Sequence, residues 1–157
     1  MERRHSCLRF AGILPAPLPR DCERRRNDMA QATRILIVTA RDGRRTATHQ
    51  ALARPDFETI NAQDFTEAYA RLLDSHFDLI VIESARPALG GIEFIKRVRA
   101  TPQLTGILIL IMAEWGTGEP TLALSAGADA YEPKPFDASR LITSIERLLS
   151  RQVAAAN

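Results

Sequence analysis

Glu83 and Lys134 are the two charged residues best placed for chemistry in this chain. Glu83 directly follows an apolar run over residues 79–82, and Lys134 follows a short strand predicted over residues 128–132. In open parallel sheets ligands bind beyond the carboxyl ends of the strands, so we expect both side chains at one edge of a sheet. A carboxylate and an ammonium there can pair with each other or contact an ionic ligand. The residues at the ends of the other predicted inner strands are Thr39, Ala40 and Met112.

Five runs of strand length alternate with five segments of helical pattern. The strands are predicted over residues 35–38, 57–60, 79–82, 107–112 and 128–132. The helices are predicted over residues 43–53, 64–73, 92–100 and 117–126, and after a cap at Asp137. All-apolar, β-branched runs such as 35–38 suit strands that are buried on both faces. The alternation predicts a doubly wound α/β fold, with a five-stranded parallel sheet, helices on both faces and the 107–112 strand at the centre.

The N-terminal segment differs in composition from the rest of the 157-residue chain. Residues 1–28 carry seven arginines and four acids, a net charge of +3, whereas the whole chain carries only +2. Residues 1–30 show no apolar periodicity, which predicts a disordered basic extension or sequence that precedes a true start at Met29. We expect one domain over residues 31–151 and a short tail over residues 152–157.

Both cysteines, Cys7 and Cys22, lie in the N-terminal extension, and their spacing fits no zinc site. The lack of cysteine after Met29 suits the reducing cytoplasm, where we expect the protein to act. No apolar run reaches the roughly 18 residues of a transmembrane helix, so no membrane partner is expected. Nucleic-acid binding is not expected either, because no aromatic residues are interleaved with the arginines.

The most specific motif is Ala126-Gly-Ala-Asp-Ala-Tyr131 followed by Lys134-Pro-Phe136. Further matches are residues 34–38, residues 77–82, Pro87 and Gly91. With these motifs the chain resembles the receiver domain of bacterial two-component response regulators over about residues 33–151. Among these domains it is similar in kind to the chemotaxis regulators. The resemblance implies a flavodoxin-like fold and a non-enzymatic signalling role that works through protein contact.

The positions that handle metal and phosphate depart from that family. Four of the five key polar positions differ, and they are Thr39, Ala40, Glu83 and Met112. The resemblance implies that the first two replace Mg²⁺-binding acids, that Glu83 replaces the phosphoacceptor aspartate, and that Met112 replaces a Ser or Thr that contacts the phosphoryl group. Lys134 is retained, and Tyr131 occupies the switch-aromatic position. The pattern is that of a degenerate pseudo-receiver.

The chemistry explains why these replacements matter. Mg²⁺ prefers near-octahedral oxygen ligands that include carboxylates, whereas Thr39 offers a neutral hydroxyl and Ala40 offers nothing. Glu83 is one methylene longer than aspartate, which moves its carboxylate by about an ångström in a reaction sensitive to such displacement. We therefore expect no tight Mg²⁺ binding, no phosphate uptake, no other cofactor and no catalytic residue. Rescue of the site by Asp42 or Glu114 remains the alternative.

Glu83 is predicted to pair with Lys134. The pair either imitates part of a phosphorylated state or is only a structural ion pair. Tyr131 is predicted to be locked in one position, or else to fill a gap between sheet and helix. Arginines at 41, 44 and 45 either contact an anion or acidic partner or form a solvated helix face. Trp115 is either an exposed contact residue or part of the core.

We expect the protein to act through the face that runs from Thr117 to Leu149, formed by the fourth helix, fifth strand and fifth helix. The partner would be a histidine kinase or a downstream effector, and the protein a monomer or weak homodimer. Since no output domain is expected after residue 151, the domain would stand alone. The alternatives are a working phosphoacceptor with atypical ligands and a flavodoxin-like nucleotide or anion binder. The second lacks a glycine-rich phosphate loop over residues 39–42.

Overall fold

The computed structural model describes residues 32–39, 47–83, 90–114 and 119–155, with five strands and five α-helices that alternate along these ranges. The strands are β1 (Thr33–Thr39), β2 (Phe57–Ala62), β3 (Leu79–Glu83), β4 (Leu108–Glu114) and β5 (Ala130–Lys134). The helices are α1 (Ala47–Ala51), α2 (Phe65–Asp74), α3 (Gly91–Ala100), α4 (Glu119–Ala126) and α5 (Ala138–Ala155). A 3-10 turn at Pro102–Leu104 follows α3.

All neighbouring strands are parallel, in the order β2-β1-β3-β4-β5. This arrangement confirms the predicted doubly wound fold, with β2 at one edge of the sheet. It corrects one detail, because β4 lies between β3 and β5 while β3 takes the middle of the sheet. Both strands are almost wholly apolar, so apolarity alone does not distinguish the middle strand from its interior neighbour.

The sheet buries side chains on both faces, as the apolar runs predict. On one face Ile37 and Val81 pack with Leu141 and Ile145 of α5 and with Leu52, which directly follows α1. The opposite core cluster joins strand residues to α2, α3 and α4, through Leu36, Ile80, Ile109, Leu72, Ile95 and Ala123. Each core side chain that is removed from water contributes roughly 1.5–3 kcal/mol, so burial on two faces holds the strands rigidly.

The strand register aligns four residues in one row across the sheet. From β1 to β5, omitting β2, these residues are Thr39, Glu83, Met112 and Glu132, which we call the carboxyl-end row. The residues two positions earlier in each strand belong to the core on the α1/α5 face, namely Ile37, Val81, Leu110 and Ala130. Because side chains alternate along a strand, the carboxyl-end row points to that same face.

Some element ends differ from the predicted ones. β4 continues to Glu114, and β5 includes Lys134. β5 begins only at Ala130, because the residues before it form a turn in which Gly127 has φ +119°. α1 ends at Ala51, and residues 43–46 of the predicted helix lie outside the described residues. α5 continues past residue 151 to Ala155 through alanines, which favour helix.

α2 begins with the predicted cap. The Asp64 carboxylate accepts a hydrogen bond from the Glu67 backbone N–H at 2.7 Å, which confirms Asp64 as the N-cap. In return, the Gln63 backbone N–H donates to Glu67 Oε2 at 2.9 Å. That bond, followed by the hydrogen bond from Arg71, lowers the pKa of Glu67 below 4.5. No helix in the described ranges is long and apolar enough to cross a membrane.

Arg99 ties together the turns that precede β4 and β5. Its guanidinium donates to the carbonyl oxygens of Thr105, Ile107 and Gly127 at 2.7–2.9 Å and contacts Asp129 Oδ2 at 2.7 Å. Asp129 Oδ2 also accepts from the Ile109 backbone N–H at 2.8 Å. The aspartate of the Gly-Ala-Asp-Ala-Tyr motif therefore anchors the amino end of β4, which gives the motif a structural role.

Candidate functional site

Glu83 and Lys134 meet at the carboxyl end of the sheet. Lys134 Nζ lies 2.9 Å from Glu83 Oε1, with 14% of the Glu83 side chain and 24% of the Lys134 side chain exposed. The strand order explains the contact, because β4 alone separates β3 from β5 and Lys134 extends across it. The predicted pair is therefore present as a charge-assisted hydrogen bond in a largely desolvated position.

Thr48 of α1 is a third member of this site that the sequence reading missed. Its hydroxyl donates to Glu83 Oε2 at 2.9 Å, and the residue is fully buried. Each oxygen of the Glu83 carboxylate therefore accepts at least one hydrogen bond. The available signal was a polar residue within the helix predicted over residues 43–53, but the sequence does not reveal which face of that helix covers Glu83.

Thr39 and Met112 flank Glu83 in the carboxyl-end row. The Thr39 hydroxyl is 3.3 Å from Asn61 Oδ1 of β2, and Thr39 is almost completely buried. Met112 is fully buried, and its Sδ lies 3.9 Å from the Thr48 hydroxyl. The remaining acidic-pocket position, Ala40, lies outside the described residues. The described neighbours of Glu83 in the row are thus a neutral hydroxyl that is bonded elsewhere and a thioether.

An open cleft of about 490 Å³ lies above the Glu83–Lys134 pair. Its described lining residues are Ala47, Glu83, Glu114, Lys134, Pro135 and Phe136. Two acidic residues were predicted as alternatives that could restore the metal site, Asp42 and Glu114. Glu114 is exposed at the end of β4, whereas Asp42 lies outside the described residues. In the described part of the chain, no three His, Cys, Asp or Glu side chains lie close enough together to hold a metal ion.

Tyr131 lies on the opposite face of β5 from Lys134. Its ring is partly buried against the core of the α2, α3 and α4 side, and its hydroxyl donates to the Glu114 backbone carbonyl at 3.3 Å. The tyrosine therefore contacts the strand end beside the cleft rather than Met112.

Several other residues named from the sequence lie outside the described residues, namely Pro87, Trp115 and the arginines at 41, 44 and 45, whereas Gly91 begins α3.

Glu132 is a second buried carboxylate of the carboxyl-end row that the sequence reading missed. Its Oε1 accepts a hydrogen bond from the Ser144 hydroxyl of α5. Arg140 Nε lies 3.2 Å from Oε2 with 65% of its side chain exposed, whereas only 9% of the Glu132 side chain is exposed. This contact is an ion pair without hydrogen-bond geometry, and Oε2 accepts no hydrogen bond from any described residue.

The comparisons with known proteins agree with this geometry. A family model described as the response regulator receiver domain matches residues 26–146. The response regulator ArlR of Staphylococcus aureus is 28% identical over 120 residues, which cover 76% of this chain and 54% of ArlR. The chain thus spans about half the length of the curated relatives it matches.

Solved structures of receiver domains have the same fold. The chemotaxis protein CheY4 of Vibrio cholerae is 26% identical, with a TM-score of 0.66 over 74% of this chain and 98% of that one. A CheY-like receiver domain protein of Methanospirillum hungatei is 25% identical, with a TM-score of 0.69 over 80% of this chain and 99% of that one. Sequence motifs, strand order and matched family model agree, and the chain belongs to the response regulator receiver domain family of two-component signalling.

Proposed function

We propose that this receiver domain does not take up phosphate and that it acts by protein contact alone. The observation that supports this most directly is the state of Glu83. Its two carboxylate oxygens accept hydrogen bonds from Lys134 and Thr48 at 2.9 Å each. Each carboxylate oxygen has two lone-pair sites, so these two hydrogen bonds occupy about half of them and stabilise the negative charge, which lowers the reactivity of the carboxylate toward a phosphoryl group.

The neighbours of Glu83 do not fit the Mg²⁺ that the family implies. Thr39 directs its hydroxyl toward Asn61, Ala40 has no side-chain oxygen, and Met112 places sulfur where an oxygen ligand or donor would be needed. Mg²⁺ requires near-octahedral oxygen ligands and keeps several waters, which an apolar thioether disfavours. We therefore propose that the domain needs no metal or other cofactor.

A phosphotransfer assay tests the absence of phosphate uptake. The wild-type chain, incubated with acetyl phosphate and Mg²⁺, is expected to show no mass increase on Glu83. A variant with T39D, A40D, E83D and M112T restores the residue types implied by the family and serves as the positive control. An acyl phosphate on Glu83 of the wild type would overturn the proposal and favour a phosphoacceptor with atypical ligands.

The Glu83–Lys134 pair has two possible roles within this proposal. Either it holds the cleft in a state that a partner recognises, or it is only structural. Binding of a partner kinase or effector by wild type and E83Q separates the two roles, because Gln keeps the shape and removes the charge. Weaker binding by E83Q, with folding unchanged, indicates recognition, whereas equal binding leaves only the structural role.

We propose that the partner binds the face formed by α4, β5 and α5. Leu122 of α4 is 55% exposed and Leu124 is 47% exposed, so both side chains are available for apolar contact with another protein. Arg147 and Arg151 are exposed on α5, which would complement an acidic surface. The start of this face, Thr117, lies outside the described residues.

The partner would be a histidine kinase or a downstream effector, and the domain would act in the cytoplasm as a monomer or weak homodimer. Substituting L122E on the proposed face is expected to abolish capture of the partner, whereas the matched change L73E on α2 is expected to leave it intact, because Leu73 is similarly exposed at 52% but lies on another helix. Equal binding by both variants would contradict the proposed face.

Binding of a nucleotide or simple anion in the cleft, measured by calorimetry, would instead support the alternative ligand-binding function.

A further inference from the structure

Thr48 links α1 to the charged pair at the end of β3. The residue is fully buried, and its hydroxyl lies 2.9 Å from Glu83 Oε2 and 3.9 Å from Met112 Sδ. A hydroxyl has one hydrogen to donate, and the carboxylate oxygen is both the nearer and the stronger acceptor. The contact with sulfur is therefore packing, and the hydrogen bond goes to Glu83.

The hydrogen bond completes a chain of contacts from α1 through β3 to β5. Thr48 holds Oε2 of Glu83 while Lys134 holds Oε1 at 2.9 Å. The last torsion of a glutamate side chain is broad and roughly two-fold when nothing restrains the carboxylate. A donor on each oxygen removes that freedom, so the direction in which Glu83 presents Oε1 to Lys134 depends on Thr48.

We propose that Thr48 is the positioning residue of the Glu83–Lys134 pair. It supplies from α1 a hydroxyl that the neighbouring row position, Met112, does not have. The site is thereby coupled to the first helix of the domain rather than to the strand end at Met112. The inference rests on the proposed function only in requiring that the Glu83 carboxylate is not phosphorylated.

Nitrogen-15 NMR of the Lys134 ammonium group tests this role, because proton exchange from that group reports how firmly Glu83 holds it. T48V removes the hydroxyl and keeps the shape, and it is expected to accelerate this exchange by about tenfold, which corresponds to the loss of about one hydrogen bond. T48S restores the hydroxyl and is expected to return exchange to near the wild-type rate.

T39V is the matched control, because Thr39 is an equally buried hydroxyl in the carboxyl-end row that contacts Asn61 instead of Glu83. We expect T39V to leave the Lys134 exchange rate unchanged. Equal exchange in T48V and wild type would overturn the proposal, as would equal acceleration by T39V, which would indicate general loosening.

A measurement on the wild-type protein covers the case in which T48V does not fold. The Thr48 hydroxyl proton is expected to be long-lived and to show a nuclear Overhauser effect to the Glu83 side chain. A hydroxyl proton that exchanges rapidly would contradict the inference. A negative NMR result would contradict the role of Thr48 but would not change the outcome of the phosphotransfer assay. Conversely, phosphorylation of Glu83 would contradict the proposed function without altering these NMR signals in the unmodified protein.

Discussion

Glu83 and Glu132 are two glutamates in the same row of the sheet, separated by Met112, and their surroundings differ in an instructive way. Each receives one hydroxyl from a helix, Thr48 for Glu83 and Ser144 for Glu132. Glu83 also receives a hydrogen bond from a lysine on the sheet and borders an open cleft. Glu132 is more deeply buried, and its cation is a largely exposed arginine.

The difference indicates separate roles for the two carboxylates. A buried charge is tolerated when its hydrogen bonds are complete, and a buried ion pair is often no more stable than a well-packed apolar pair. Glu83 has a donor on each oxygen and remains accessible to a partner from the cleft. Glu132 has one oxygen without a hydrogen bond from the described residues and contributes little that an apolar residue could not replace.

The largest effect is expected from E83L. The change leaves the fully buried Thr48 hydroxyl without its acceptor and Lys134 without its partner, so unfolding should become easier by about 2–3 kcal/mol. Urea denaturation of wild type and variant measures the difference. A variant as stable as wild type would mean that the two sites do not differ as described.

S144A should have the next largest effect. It removes the hydroxyl that donates to Glu132 Oε1 and leaves the buried carboxylate with Arg140 as its one partner among the described residues, at a cost of about 1–2 kcal/mol. T143V provides the control on the same helix, since the Thr143 hydroxyl donates to the Ser139 carbonyl within α5. Equal effects of S144A and T143V on the denaturation midpoint would speak against a specific role for Ser144.

E132L tests the comparison directly, because it repeats the first substitution at the second carboxylate. The carboxyl-end row points to the face on which Leu141 and Ile145 of α5 form part of the core, so leucine can join that core, and Ser144 can instead bond to a backbone carbonyl of its own helix. We expect stability within about 1 kcal/mol of wild type, or above it. A loss as large as that of E83L would show that Glu132 is equally important to the fold.

The smallest effect is expected at Glu67, a partly exposed carboxylate of α2 that serves as a reference. Its pKa is lowered by the Gln63 backbone N–H and then by Arg71, so its stabilising contribution is present above pH 4.5 and is lost as the pH falls through the lower folded-state pKa. E67Q should therefore flatten the pH dependence of the denaturation midpoint in acid and change little at neutral pH. An unchanged acid profile would contradict this assignment.

The fold could be predicted from the sequence because its signals are local. Apolar β-branched runs such as residues 35–38 indicate buried strands, and the Asp64 cap depends on residues within one turn. The family motifs then predict which strand ends meet. The positions of Glu83 and Lys134 at one edge follow from this reasoning.

Thr48 and Glu132 could not be predicted in the same way. Thr48 reaches Glu83 across 35 positions, and the contact depends on how α1 is rotated over the sheet. Glu132 is buried because of the register of β5 against β4 and the packing of α5, neither of which a local pattern fixes. Tertiary packing therefore decides how the site is completed.

The contacts of Arg99 have a consequence for engineering. They hold the turns at the amino end of β4 and β5, at the opposite end of the strands from Glu83 and Lys134. Because none of these contacts involves a described residue that lines the cleft, substitutions in the cleft should leave them intact. The domain is thus a suitable host for grafting a working phosphorylation site, as long as the residue that replaces Glu83 keeps an acceptor for the Thr48 hydroxyl.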